Sequence, residues 1–500
     1  MKNLFEIIAG LNKAEKRHFK LYLNRVAPYE GENLVVNLFD AINKKQFETE
    51  NEIAEYFYPE NKNAYYRLKN RLLESLEKSL LLLHHTASDR AIMSNLMRLA
   101  EIYTKKSLYK LAYQTLVEAE EIGLKGGNFD MLTNIYAGII SISFYHPEIN
   151  IEDYLKKQRQ NLTNYTDRIS IAQLIHKTVH ALLQTNYERH NTDIEYALQQ
   201  ISEQLNINKT VATAPKVQFD VSNTIRRILL QNNDYEALES FLIANLAEFE
   251  ARKMYKRDTH QNKIVQLVWL INTLLRNGKI NLMPSYTQQL YEALLAYNKL
   301  FYPQFEWTYY QCIVAQYFYT NHLKDGILLL ENLAQTRHDT TNMYYKVFIH
   351  GNLAVILYCR QQLPLAMQAI TPLLTKDIYN KLSGELQLRI SLLEVILHLD
   401  NNDWQYVAYR LGDIKQSNKA LLKQANYQHE AQFIKLLSIF SMAYEPFNDP
   451  KIKAKIEQYI SSSPVFRPGS NEFISYMVWL KSKLSKNHYY LTLLANVKTV

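Results

Sequence analysis

The chain reads as all-α, a stack of antiparallel helix pairs, and three features of its sequence say so. Glycine and proline number 12 each among 500 residues, well under half of ordinary usage, and these are the residues that punctuate turns and break helices. Strand-like alternation of Val, Ile and Thr is scarce. From Ser88 onward, polar turn-like clusters recur at a nearly constant interval, with apolar residues at helical spacing between them.

A chain of 500 residues is too long for one core, so it is several domains or one extended array. Apolar residues make up 47% and charged residues 21%, an ordinary balance for a globular protein. Two cysteines, Cys312 and Cys359, cannot build a disulfide framework or a cysteine zinc site, and both sit in apolar helical context. They are expected as buried free thiols in a reducing compartment. Residues 1–10 carry one lysine and a short apolar run interrupted by Glu6, without the h-region or cleavage site of a signal peptide. No window reaches membrane-spanning length, and a cytoplasmic location is the expectation. The net charge of +8 is mild for this length; it permits an acidic partner without requiring nucleic acid. Tyrosine is abundant at 37 residues, which fits either a recognition role or a compositional bias of the genome.

Residues 1 to 88 stand outside the periodic pattern. Helices are expected over residues 13–26 after the Asn12 cap, 33–45, 52–57 and 64–84, with a turn at residues 28–31. Leu34, Leu38, Ala41 and Ile42 share one face of the second. The last carries the stripe Leu68, Leu72, Leu76, Leu80 and Leu83. This region reads as a helical cap covering the apolar end of a stack that fills residues 89–500. Residues 49–76, with a turn at Pro59-Glu60-Asn61 and then Arg67, Lys69 and Arg71, faintly resemble a helix-turn-helix. Glu48, Glu50, Glu52 and Glu55 crowd its first helix and would repel phosphates. The run Lys13, Lys16, Arg17 and Lys20 is an ordinary solvated face.

The repeat is plainest over residues 99–119. Ala100, Ala112 and Ala119 are small residues where two antiparallel helices would approach, and Leu99, Tyr103 and Leu116 are the large ones that would fill between them. The pattern resembles the tetratricopeptide repeat, whose signature sets the same residue classes at these spacings. Polar clusters at residues 105–107, 146–147, 188–190, 232–234, 277–278, 321–322, 361–364, 400–403 and 445–450 follow one another at about 40 to 46 residues. A second set interleaves at 125–128, 163–167, 206–215, 252–260, 301–303, 337–340, 375–377, 417–419 and 461–469. The internal spacing recurs at Ala237, Phe241 and Ala244 after Ile228, and at Gly326, Leu330 and Leu333 after Tyr317. It recurs again at Ala366, Ile370 and Leu373 after Leu353, Ala354 and Leu357, and more weakly at Val407, Leu411 and Ile414. The expectation is an α-solenoid of about nine helix pairs with a period of about 42 residues. That period is longer than the tetratricopeptide's, few units carry its closing proline, and a HEAT-like pairing fits the length equally well.

In such a stack the first helices line a concave side that takes an extended peptide or a helix. Candidate lining residues are Arg98, Arg226, Arg227, Lys263, Gln266, Trp269, Tyr309, Tyr310, Tyr344, Tyr345, Asn352 and Arg389. Arg252, Lys253, Lys256 and Arg257, near Arg226-Arg227, add positive charge that would suit an acidic or phosphorylated segment. No phosphate-cradling glycine motif and no nucleophile elbow is present. His176 and His180 lie four apart but lack the intervening Glu of a zinc protease, so they read as a structural pair. His84-His85 closes a helix and suits its dipole. The function expected is a non-enzymatic interaction scaffold with no cofactor, metal or catalytic residue. Two alternatives stand beside it: a transcriptional regulator whose N-terminal helices contact DNA, and an enzyme with an unrecognised helical active site.

Overall fold

The computed structural model describes residues 4–26, 34–44, 46–47, 49–184, 199–203, 205–336, 342–443, 446–463, 466–469 and 473–497. Among these residues there is no strand; every regular element is a helix, and neighbouring helices pack in consecutive pairs. The chain divides into two compact units, Met1–Thr224 and Ile225–Val500.

In the first unit, α1 (Leu4–Gly10), α2 (Lys13–Val26), α3 (Leu34–Asn43), α4 (Glu50–Phe57) and α5 (Lys62–Leu83) enclose one core of Leu4, Ile8, Phe19, Leu38, Phe39, Leu68, Leu72 and Leu76. A reciprocal capping box starts α2: the Glu15 N–H donates to Asn12 Oδ1 at 3.0 Å and the Asn12 N–H to Glu15 Oε2 at 2.8 Å. Thr49 caps α4 and Asn61 caps α5, two residues earlier than the apolar stripe suggested. Helix α1 is too short to show a period, yet Leu4 and Ile8 are each 1% exposed. The turn expected at residues 28–31 lies outside the described residues.

Next come α6 (Asp89–Lys105), α7 (Tyr109–Gly126), α8 (Phe129–Ser143) and α9 (Ile151–Gln184), with α6 packed on α7, α7 on α8 and α8 on α9. Ala100, Ala112 and Ala119 are buried at the α6–α7 contact, with Leu116 beside them. Leu99 corrects the sequence reading: it is 38% exposed, one helical step off the buried face. A second correction is the break expected at residues 163–167, because α9 runs through it as one 34-residue helix. The segment is polar but holds no Gly or Pro, and Thr163 and Thr166 donate back to the Arg159 and Leu162 carbonyls within the helix. The short α10 (Lys209–Ala212) precedes α11 (Pro215–Gln231), which contains the boundary between the units.

The second unit runs through α12 (Tyr235–Ala251), α13 (His260–Arg276), α14 (Met283–Lys299), α15 (Tyr302–Tyr319), α16 (Leu323–Thr336), α17 (Met343–Cys359) and α18 (Leu363–Leu374). It continues with α19 (Lys376–Tyr379), α20 (Gly384–Asp400), α21 (Trp404–Ser417), α22 (Gln428–Phe440), α23 (Pro450–Ser462), α24 (Tyr476–Leu484) and α25 (Tyr489–Val497). Gly326, Leu330 and Leu333, then Ala366, Ile370 and Leu373, then Val407, Leu411 and Ile414 are all buried as the spacing requires. The triplet at Ala237, Phe241 and Ala244 is out of register: Ala244 is exposed, and Tyr235, Leu238, Leu242 and Leu246 form the buried stripe. Both readings of α12 are helical, and the larger side chains win the core. Cys312 and Cys359 are buried free thiols, and burial pushes the Cys312 thiol up to about 12.

One turn is used again and again. After α6, α11, α13, α17, α20 and α24 the chain enters the left-handed region at Ser107, Asn233, Gly278, Gln361, Asn402 and Lys486. Each time the next N–H returns to the carbonyl five residues back, as Leu108 does to Tyr103 at 2.9 Å and Gln362 to Leu357 at 3.0 Å. This is the Schellman ending, and it closes helix carbonyls that water would otherwise have to satisfy. Five of the polar clusters marked in the sequence, at residues 105–107, 232–234, 277–278, 361–364 and 400–403, hold these turns, and those at 188–190 and 337–340 lie outside the described residues.

Packing in the second unit is not confined to neighbours in chain order. The segment after α23 returns to much earlier helices: Arg467 donates to the Asn233 carbonyl at 3.4 Å, and Arg276 donates to the Gly469 carbonyl at 3.3 Å. Phe473 lies against Gly351 of α17, where a β-carbon would sit 2.4 Å from its ring. The Tyr490 hydroxyl donates to the Phe318 carbonyl. No pattern within one repeat encodes these contacts.

Candidate functional site

The twelve surface candidates divide by unit: Arg98 lies in the first, exposed on α6, and the other eleven lie in the second. The second unit does not leave its cations free as a set. Lys263 pairs with Glu250 at 2.7 Å, and Arg389 pairs with Glu385 one turn away on α20. Arg252 is likewise bound to Glu248 at 2.9 Å. Gln266 is a correction: it is buried, donating to Asn245 at 2.7 Å and accepting from the Tyr255 hydroxyl. Its position on α13 faces α12, which the sequence could not say without the register of α12.

Arg226 is also buried, at 8% exposure, and its guanidinium lies over the Trp269 ring at 4.0 Å. Its Nε has no acceptor, and burial followed by the neighbouring charge of Arg227 brings the guanidinium down to about 10. Arg227, one residue on, is exposed. The two arginines therefore do different things: one packs on an indole, the other meets solvent. Stacking on an aromatic face suits a guanidinium, which is weakly hydrated and planar.

The aromatic candidates do come together. On α15 and α17, Trp307 stacks on Tyr345 with centroids 3.8 Å apart and planes 17° from parallel. Tyr310 and Phe348 meet the same indole edge-on at 5.9 Å and 6.2 Å. Tyr309 adjoins Tyr310 at 5.8 Å and stacks on Tyr291 of α14 at 5.4 Å. Burial, then the neighbouring tyrosines, push the Tyr309 hydroxyl up to about 12, so this phenol stays neutral at physiological pH. Tyr344 is 66% exposed. All the others named here are half-buried, and apart from Tyr291 they lie on the successive first helices α15 and α17.

Trp307 and Phe348 were missing from the sequence reading. The available signal was spacing: Trp307 lies three residues before Tyr310 and Phe348 three after Tyr345, so each shares a helical face with a residue already chosen. Asn352, one turn further along α17, donates to the Phe348 carbonyl at 2.7 Å. It borders a cavity of about 250 Å³ with Gln311, Phe348, Val355 and Phe473. The returning C-terminal segment thus forms one wall beside the aromatic cluster.

The N-terminal helices show the helix–turn–helix succession of α4 and α5, but their charges are partly spent. Lys69 is bound to Glu50 and Lys20 to Asp40, while Arg67 and Arg71 remain exposed. His84 pairs with Glu15 at 3.0 Å, and His85 Nδ1 lies 2.8 Å from the Leu82 carbonyl at the end of α5. His176 and His180 are both exposed on α9. Among the described residues, no group of three or more His, Cys, Asp or Glu side chains is placed to hold a metal ion, and no helix is long and apolar enough to cross a membrane.

In comparisons with known proteins, no family model matches this chain and no curated protein matches it.

Proposed function

We propose that the chain is a non-enzymatic scaffold, an α-solenoid with tetratricopeptide-like packing, that docks an extended segment or a helix of a partner protein. Consecutive packing of helix pairs supports the solenoid reading, and the recurring Schellman turn supports a repeated unit. Residues 1–88 then serve as the cap, with their own core of α1 to α5.

One observation carries the docking reading: the stack of Trp307 on Tyr345, flanked by Tyr310 and Phe348 and bordered by exposed Tyr344. Aromatic side chains that keep one edge wet supply rigid contact area at little entropic cost and dominate the energetics of protein interfaces. Removing one such anchor costs about 2 kcal/mol or more, roughly thirtyfold in affinity. The duplex-DNA reading has weaker support, because Lys69 and Lys20 are bound to carboxylates.

The test is quantitative capture from native lysate by the full chain and by a Trp307→Ala/Tyr345→Ala variant. One or a few proteins retained by the first and lost by the second, at equal melting temperature, is the expected result. Identical retention by both removes the aromatic surface from the function.

A further inference from the structure

The first unit contains a cavity of about 580 Å³ between α7, α8, α9 and the turn around α10, and the sequence assigned no role to its floor. Its floor includes two asparagines from successive turns of α9, Asn161 at 4% and Asn164 at 7% exposure. Each is half used. Asn161 Nδ2 donates to the Phe129 carbonyl at 2.9 Å and to Thr133 Oγ1 at 3.0 Å. Asn164 Oδ1 accepts from Gln160 Nε2 at 3.3 Å and from Asn208 Nδ2 at 2.9 Å. That leaves Asn161 Oδ1 and Asn164 Nδ2 with no hydrogen bond among the described residues. Neither is a sealed atom without a partner, and both residues line the cavity.

The cavity thus holds one acceptor and one donor, carried by side chains whose β-carbons stand about 5–6 Å apart at an i, i+3 spacing. An extended peptide turns an N–H and a C=O to the same side at alternate residues, which is the complement of that pair. Leu124, Phe129 and Tyr136 add apolar and aromatic lining. Three lysines line the site against one glutamate. Lys157 is spent on buried Glu120 at 2.8 Å, Lys125 is held only loosely by Glu121 at 3.6 Å, and Lys156 is exposed. The mouth is therefore positive, and a volume in this range accepts about two or three residues of a chain.

We infer that this cavity is a docking site for an acidic peptide, its backbone held by Asn161 Oδ1 and Asn164 Nδ2 and its carboxylates by Lys156 and Lys125. The site uses none of the aromatic residues of the second unit, so it stands or falls independently of them.

Panning phage-displayed dodecapeptides on the full chain, then measuring enriched peptides by fluorescence anisotropy, tests this directly. Two variants leave the fold's own bonds in place: Lys156→Glu alters an exposed side chain, and Asn164→Asp keeps the Oδ acceptor while removing the Nδ2 donor. The expected result is a class of enriched peptides rich in Asp or Glu that binds the wild type and binds each variant at least about tenfold more weakly. The same peptides bind Trp307→Ala unchanged. If Asn164→Asp melts lower than wild type, Lys156→Glu alone decides. Enriched peptides that bind Lys156→Glu as tightly as wild type, or sensitive peptides without an acidic excess, overturn the inference. Thermal stabilisation by AMP or ATP that disappears in Asn164→Asp also overturns it, giving the cavity to a nucleotide.

Discussion

Replacing Gly351 with alanine changes sign with its surroundings, and the structure says why. On α17 the added β-carbon would lie 2.4 Å from one carbon of the Phe473 ring and 2.7 Å from the next. Helix α17 is fixed by a nearly unbroken run of buried residues from Gly351 to Cys359, so the ring has to yield. Overpacking of this kind costs about 1–3 kcal/mol. For a domain of this size that lowers Tm by about 2–12 °C, at about 2–4 °C per kcal/mol. With Phe473 already reduced to alanine the clash is gone, and the same change should then stabilise by up to about 1 kcal/mol, the helix preference of Ala over Gly. All four tryptophans, Trp269, Trp307, Trp404 and Trp479, lie in the second unit, so urea unfolding followed by indole fluorescence reads that unit alone. Gly351→Ala that is as stable as wild type with Phe473 present would refute the return of the C-terminal segment onto α17.

Two further outcomes follow from the same structure. Gln361 pays a left-handed backbone at φ 60°, so Gln361→Gly should gain about 1 kcal/mol in the same urea assay, with no gain from Gly at exposed mid-helix Glu331. Burial holds His260, His350, His429 and His488 below the ordinary histidine value. Unfolded imidazoles take up protons near 6.5 while the folded ones stay neutral, so this stability is complete above 6.5 and is lost as pH falls below it. Glu430, raised by burial, works in the opposite sense, but only nearer the carboxylate range. The second unit should weaken between pH 7.5 and 5.5, and less steeply in His429→Gln; a flat wild-type profile would contradict the burial assigned to these rings.

Local chemistry carried most of what was legible in the sequence. Scarce glycine and proline gave the helices, Asn12 gave a helix start, and several polar clusters gave Schellman turns. Small residues at Ala100, Ala112 and Ala119 marked a real close contact. What failed did so where two local answers were equally good. Residues 163–167 are polar enough for a turn yet contain no breaker, and α9 passes through. In α12 two stripes compete, and only the neighbouring helices choose between Ala237 and Leu238. The candidate surface was half legible: Tyr310 and Tyr345 were chosen for exposure on first helices, but the Trp307 stack that joins them spans two helices. Arg226 and Gln266 looked like surface residues because sequence carries charge and polarity, not depth. The Asn161–Asn164 pair was invisible because its free atoms are defined by which hydrogen bonds the other atoms have already made.

The docking reading is tested most directly by ¹⁹F spectra of the full chain labelled with 5-fluorotryptophan, titrated with the partner recovered by capture. Trp307 should shift or broaden in proportion to occupancy, while Trp479, 0% exposed in the core, stays where it is. Saturable binding that leaves the Trp307 resonance untouched would place the partner elsewhere and contradict the aromatic surface as its seat.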